Sequence, residues 1–276
     1  MSPKLKTKGL LATAAVLVLT LLTQIGGVIL ILSFALARLR KGGVGAFGFL
    51  ALFVGLYTIG SGLSYAVAPL FGRVPLPCLD DGSSRLRMQS PLYCALNRQY
   101  VSPKLQEAAT ALSQRMDQAF PGTTTLALDA NFPFFDGFPL FPHLSHSDGR
   151  KLDVAFFYQD ADGRFLDQAT RSPIGYFAFE EPLPGSPLPC GNRQDLLTLR
   201  WDLAFLQPLW RPVPLEQGRT REALRWLSDE GRGFGVAKIF VEPHLAQRLG
   251  VEADSIRFQG CRAARHDDHI HMQVGK

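Results

Sequence analysis

The sequence predicts an α+β fold: a small antiparallel sheet with flanking helices, preceded by a two-helix transmembrane hairpin. Three observations carry this expectation. Charge is missing from two long apolar stretches early in the chain and ordinary after them. Past Arg73, strand-like and helix-like patterns are interspersed. Five of the six histidines fall in two blocks, each beside a strand-like segment.

Of the 276 residues, 46% are hydrophobic and only 19% are charged, against about 25% charged in an ordinary soluble domain. The shortage is local. Residues 9–37 and residues 42–72 contain no charged side chain. A transmembrane helix needs roughly 20 apolar residues, and each stretch is longer than that. Neither shows the polar face that a helix of a soluble protein presents. Arg38-Leu39-Arg40-Lys41 forms a charged turn between them. Residues 1–72 therefore read as a membrane hairpin, with helices over about 9–37 and 42–72 set in a lipid bilayer.

A signal peptide is the competing reading of residues 1–27, with Lys4, Lys6 and Lys8 as its basic start. The apolar run outlasts the roughly 7–15 residues of such a segment, which favours an uncleaved helix. Orientation stays open. The first residues and the turn each hold three basic side chains, so the positive-inside comparison is a tie. With two spans, the N-terminal tail and the large domain share a side.

The net charge of +5 sits largely beside the apolar segments, on Lys4, Lys6, Lys8, Arg38, Arg40, Lys41 and Arg73. Basic residues there are placed to meet lipid headgroups. No basic stripe with interleaved aromatics is present, so nucleic acid is not the expected partner. Cys78, Cys94, Cys190 and Cys261 all lie outside the apolar segments and form no CxxC pair. An even count in a tethered domain points to two disulfides and an oxidising compartment. Sequence alone does not choose among the three connectivities. Cys78–Cys94 with Cys190–Cys261 is the working pairing, and four buried free thiols are the alternative.

Residues 73–100, rich in Pro, Gly, Ser and Arg, read as a linker with little regular structure. The domain proper is expected over 101–276. Ser102 and Pro103 suit the start of a helix over 103–119. Thr123–Asp129 reads as a strand, Phe132–Pro142 as a loop crowded with Phe and Pro, and Leu152–Tyr158 as a second strand. Residues 180–192 form a Pro-rich loop. Helices are expected over Arg193–Leu206 and Arg219–Ser228, a strand over Lys238–Val241, a short helix over His244–Leu249 and a closing strand over His269–Val274.

The first histidine block is His143-Leu-Ser-His146-Ser-Asp-Gly-Arg-Lys-Leu-Asp153, and the second is His266-Asp-Asp-His269-Ile-His271. A glycine turn at Gly149 can bring His146 and Asp153 back onto one point. On a strand, alternate side chains share a face, so His269 and His271 point together and Ile270 points away. Two imidazoles and one carboxylate around an open fourth position is a catalytic zinc arrangement. Surface histidines beside acidic loops are the bland alternative. His244 stands alone and reads as a structural histidine.

This pair of blocks resembles the penicillin-insensitive murein endopeptidases, within the wider lysostaphin and D-Ala-D-Ala metallopeptidase group. That group carries a His, six residues, an Asp, and later a His-x-His. His146, Asp153 and His269-Ile-His271 match it, and His143 and His266 occupy the extra positions of the endopeptidase branch. The likeness covers roughly residues 123–275 and is weak outside the two blocks.

The resemblance implies a single zinc ion per chain held by His146, Asp153 and His271. His269 is implied as general base or oxyanion stabiliser, with His266 and His143 lining the site and assisting. It also implies peptidoglycan peptides as substrate and the outer side of a bacterial cytoplasmic membrane as location. Two departures stand out: the familiar endopeptidases are exported soluble proteins, and Asp148 precedes the turn glycine where a neutral residue is expected. Asp267 or Asp268 is a candidate to orient a histidine, as such partners commonly do. Arg150 is a candidate for a substrate carboxylate, or a plain surface arginine. A D,D-carboxypeptidase is a close functional variant, and a membrane-tethered wall-binding or assembly protein with a degenerate site is the reading from another class. No GxSxG, HExxH or phosphate-binding glycine loop competes.

Overall fold

A computed structural model describes residues 3–40, 43–79, 82, 84–191 and 200–276. The chain opens with three helices: α1 (Pro3–Thr23), α2 (Gly26–Leu39) and α3 (Ala46–Val67), the last continuing as a 3-10 turn over Ala68–Phe71. The single helix expected over 9–37 is therefore broken. Gln24 takes a left-handed backbone (φ 66°), and the Thr23 hydroxyl accepts a hydrogen bond from the Gly26 N–H at 2.9 Å. Gly27 lies so close to α1 that a Cβ there would meet Thr20 Oγ1 at 1.9 Å. The backbones of α1 and α2 therefore pack in direct contact, a close approach that glycine permits. A hydropathy reading cannot see this break, because Gln24-Ile25-Gly26-Gly27 carries no charge.

Among the described residues, one helix is long and apolar enough to cross a membrane, Ala46–Phe71; Gly9–Thr23 and Gly26–Leu39 are apolar but shorter. The two-helix hairpin is thus replaced by three helices that fold back on one another. The Phe34 ring of α2 packs 4.8 Å from Phe49 near the start of α3. Near the other end of α2, Ile29 lies against Gly60. So α2 and α3 are antiparallel. Of the charged turn expected at 38–41, Lys41 lies outside the described residues.

The rest of the chain forms β1 (Val74–Pro75), β2 (Leu86–Met88), α4 (Pro91–Ala95), β3 (Tyr100–Val101), α5 (Pro103–Ala119), β4 (Thr125–Ala127) and β5 (Lys151–Ala155). After them come α6 (Gln217–Ser228), β6 (Val236–Phe240), α7 (Pro243–Leu249), β7 (Ile256–Arg257) and β8 (His269–Val274). Six strands make one sheet in the order β2-β4-β5-β8-β6-β7. Its centre is antiparallel, as expected, but both edges are parallel: β2 runs with β4 and β7 with β6. Parallel neighbours need a crossover. Helix α5 lies in the β2-to-β4 connection and α7 in the β6-to-β7 connection.

Residues 73–100 are not a linker. They supply β1, β2 and α4, and Leu76, Leu86, Met88 and Tyr93 are buried in the main core. Three-residue strands such as β2 have too little period to announce themselves and are fixed by pairing partners far along the chain. Of the helix expected over 193–206, residues 193–199 lie outside the described residues, and Ala204–Leu209 is a 3-10 helix.

Local chemistry explains the helices that position the sheet. Ser102 caps α5, its hydroxyl accepting from the Leu105 N–H at 3.3 Å. Glu216 caps α6, its carboxylate accepting from the N–H groups of Gly218 and Arg219 at 3.2 and 2.6 Å. One face of the central strands is apolar. Leu152 and Val154 of β5 and Ile270 and Met272 of β8 share a core with Leu105, Ala108 and Leu112 of α5 and Ala223, Leu224 and Leu227 of α6. Each fully buried leucine there contributes roughly 1.5–3 kcal/mol. The opposite face of the same strands carries the histidines. Two disulfides, Cys78–Cys94 and Cys190–Cys261, tie the domain, and no free cysteine is present.

The helical unit and the domain are joined by polar contacts. Tyr57 of α3 donates to the Ala95 carbonyl at 2.7 Å. The Asn97 amide donates to Tyr57 Oη at 3.1 Å and to the Thr23 carbonyl at 3.4 Å. Gln24 Oε1 accepts from the Phe134 N–H at 3.0 Å.

Candidate metal centre

The pairing of β5 with β8 sets Asp153 directly opposite His271 and Ala155 opposite His269. Strand alternation then brings Asp153, His269, His271 and Gln273 to one face. His146 arrives from the turn before β5. Gly149 makes that turn with φ 74°, and a Cβ there would sit 2.6 Å from the Arg73 guanidinium. Its N–H donates to Asn131 Oδ1 at 3.0 Å. Asp148, the residue flagged before the glycine, accepts from the Arg150 N–H at 3.1 Å and binds the side chains of Arg150 and Lys151 at 2.7 Å. Arg150 is thereby engaged with Asp148.

His146, Asp153 and His271 form a buried group that could hold a metal ion, with one ligand atom from each lying within 4.8 Å of the others. His146 Nε2 is 3.3 Å from Asp153 Oδ1 and 3.1 Å from His271 Nδ1. His271 Nδ1 is 2.7 Å from Asp153 Oδ1. Bonds of about 2.0–2.1 Å in a tetrahedral site place ligand atoms about 3.3 Å apart, so these separations fit a small cation after slight opening. The outer atoms fit as well. His146 Nδ1 lies 2.8 Å from the Ala130 carbonyl, to which it donates as Nδ1–H, leaving Nε2 as the free lone pair. His271 offers Nδ1, and its Nε2 lies 3.0 Å from the Gln273 amide. A half-turn of that amide presents its oxygen to the Nε2–H.

All five clustered histidines meet here. The His146 and His271 rings are 4.9 Å apart, His266 and His271 5.4 Å, His266 and His269 5.0 Å, and His143 and His269 5.8 Å. His269 Nε2 is 3.6 Å from Asp153 Oδ1, and its Nδ1 is 2.5 Å from Asp268 Oδ1. Of the two candidate orienting acids, Asp268 meets His269, whereas Asp267 binds Arg265. No residue of this cluster is more than 9% exposed. Among the described residues, His269 Nε2 and His266 Nδ1 have no hydrogen-bond partner. Buried polar atoms are nearly always paired, so two orphans beside the trio fit a place built to receive a further group.

Burial and mutual charge shape the ionisation. Burial would raise the Asp153 carboxyl, but the surrounding imidazoles of His146, His269 and His271 hold it well below the usual range. Burial pushes His271 down to about 4 and is the main cause that holds His266 well below its ordinary value. For His269 burial also acts downward, but Asp153 and Asp268 outweigh it and bring the ring up to about 9. The same contest, with Asp153 as the leading carboxylate, raises His146.

Several supporting residues carry no sequence signal. Tyr176 donates to Asp153 Oδ2 at 2.7 Å and accepts from the Asp129 N–H at 3.0 Å. Asp129 in turn holds His143 Nδ1 at 3.0 Å and pairs with Arg98 at 3.0 Å. Gln273 alone was readable, through its place two residues after His271. His244 is a structural histidine: its Nε2 donates to the Glu180 carbonyl at 3.1 Å.

Fold and site together define a mixed α/β domain with a buried His–Asp–His group able to take a cation. The chain matches no protein-family model and no curated protein.

Proposed function

We propose that this chain is a membrane-anchored zinc peptidase that hydrolyses peptide crosslinks of peptidoglycan on the outer side of a bacterial cytoplasmic membrane. The observation that carries the reading is the convergence of His146 Nε2, Asp153 Oδ1 and His271 Nδ1, with His269 Nε2, unpaired among the described residues, beside them. The likeness of the two histidine blocks to murein endopeptidases names the substrate class. The two disulfides favour an oxidising compartment.

A bound zinc ion would supply Lewis acidity, lowering the pKa of a water towards about 7 and polarising the scissile carbonyl. The chain's own groups do the rest. In its neutral form, which a cation beside it would favour over the charged ring of the metal-free chain, His269 would take the proton of the attacking water at Nε2 and pass it to the leaving amine. Asp268 fixes the ring by accepting from Nδ1–H. His143 and His266 border the reacting carbonyl, where an N–H stabilises the developing oxyanion. Tyr176 keeps Asp153 Oδ2 occupied, so that Oδ1 faces the cation.

A wall-binding role with a silent site is favoured by one observation, the near-complete burial of the trio. One experiment separates the two: metal content and digestion of purified sacculi by the full chain in detergent, beside His271→Ala. One zinc per chain and muropeptide release, both lost in the variant, support the peptidase. Zinc without release favours the binding role. Absence of zinc sinks the metal centre.

A further inference from the structure

We propose that the Phe-rich loop 132–144 and the end of α3 form a second lipid-contacting surface, which seats the metal centre against the bilayer. The proposal rests on the membrane-anchored reading above. The span Ala46–Phe71 has 26 residues. At about 1.5 Å each it is about 39 Å long, against about 30 Å of hydrocarbon. With Ala46 at one edge of the hydrocarbon, about 20 residues cross it, and Leu70 and Phe71 reach the opposite headgroup layer.

Loop 132–144 lies against that end and reaches below it. The Phe134 and Phe135 rings pack 5.1 and 5.5 Å from Phe71. The Phe134 N–H binds Gln24, at the tip where α1 turns into α2. That tip is level with the middle of α3, because Ile25 lies against Gly60. The loop therefore descends the flank of the span from Phe71 towards Gln24. Within hydrocarbon, polar groups must find partners inside the protein. Here the Phe134 N–H, the Tyr57 hydroxyl and the Asn97 amide N–H groups each have one, while Gln24 Nε2 and Asn97 Oδ1 have none among the described residues.

What faces outward is apolar except at Asp136. Leu70 is 84% exposed, Phe135 63%, Phe141 48% and Phe71 40%. Asp136, the one charge inside the loop, has a side chain 72% exposed and is ion-paired with the buried Arg73, which offsets its charge. An apolar aromatic patch continuous with a membrane span fits a bilayer interface. His143 follows Phe141 by two residues, so the same loop that meets lipid holds the site. Peptide substrates carried close to the membrane would then be within its reach.

The test uses the full chain in phosphatidylcholine/phosphatidylglycerol vesicles containing brominated lipid, with tryptophan introduced as Phe135→Trp or Ile31→Trp. Ile31, in α2, reports the anchor alone. The emission gained over the unsubstituted protein is measured, and Phe141→Trp is made in parallel should Phe135→Trp fold poorly. The expected result is at least a two-fold loss of the added emission at both the loop and Ile31. Quenching at Ile31 but at neither loop position overturns the surface and leaves the anchor intact, with water or a partner protein covering the patch. Quenching at none of them overturns the anchor and the surface together.

Discussion

Asp153 and His271 face each other directly across the β5–β8 pair, with Oδ1 and Nδ1 2.7 Å apart. The contact joins two blocks more than a hundred residues apart and defines the proposed cation site. Asp153→Asn keeps the volume and removes the charge. The expected outcome is a fall in zinc from one per chain to below detection by plasma mass spectrometry. Retention of a full equivalent would show that Asp153 is not a ligand.

Tyr176→Phe removes the hydroxyl that donates to Asp153 and accepts from the Asp129 N–H. Leaving such buried groups unpaired costs about 1–3 kcal/mol, and losing a ligand's supporting hydrogen bond weakens metal affinity about 10–100-fold. Denaturant unfolding of the metal-free chain and zinc competition against a chelator read the two effects separately.

Asp268→Asn leaves the trio untouched but withdraws the charge that holds His269 Nδ1. Proton transfer by a positioned side chain contributes about 10²–10⁴-fold. The variant should keep its zinc and lose at least about 10²-fold in kcat. Unchanged turnover would remove His269 from the proton path.

Burial lowers the pKa of His244, whose Nδ1 has no partner among the described residues. In the unfolded chain the ring titrates near about 6.5. Below that pH the unfolded state binds a proton that the folded state resists, so stability falls as the solution is acidified. His244→Gln should flatten the melting temperature profile between about pH 7 and pH 5, relative to wild type. Parallel profiles would show that this histidine does not contribute to the slope.

The two disulfides close loops of different size, with sequence separations of 16 and 71. Loop-closure entropy gives about 3 kcal/mol for the shorter and about 4 kcal/mol for the longer. Replacing Cys190 and Cys261 by Ser should therefore lower the denaturation midpoint more than replacing Cys78 and Cys94. The reverse order would place the stabilisation in native packing.

The legible parts of the molecule were those with a local cause. His269–Val274 is the strand the alternation of His, Ile, His and Met predicts, and α5 begins at the serine cap and proline that announce it. Within each block, short-range turn and strand geometry sets how the six expected site residues point, and the long-range pairing of β5 with β8 brings the two blocks together. Strand β2 and helix α4 were hidden in a Pro- and Gly-rich stretch, since only distant partners fix them. The break at Gln24 was invisible because both sides of it are equally apolar. Tyr176, Asp129 and Arg98 belong to no spacing; they act through the folded chain alone.

That break alters a matter of parity. Two full passes return the chain to the side on which it started, whereas a helix pair that turns back at mid-span followed by one full span, Ala46–Phe71, does not. Helix α1 runs towards the domain, α2 away from it, and α3 back again. Lys4, Lys6 and Lys8, at the start of α1, and Arg38 and Arg40, at the end of α2, therefore gather at the pole opposite the domain. The apparent tie between the two basic clusters dissolves, because they no longer oppose each other. For the membrane-anchored chain proposed above, both vote for the same leaflet, and the positive-inside bias would then put the domain with its His–Asp–His group on the far side.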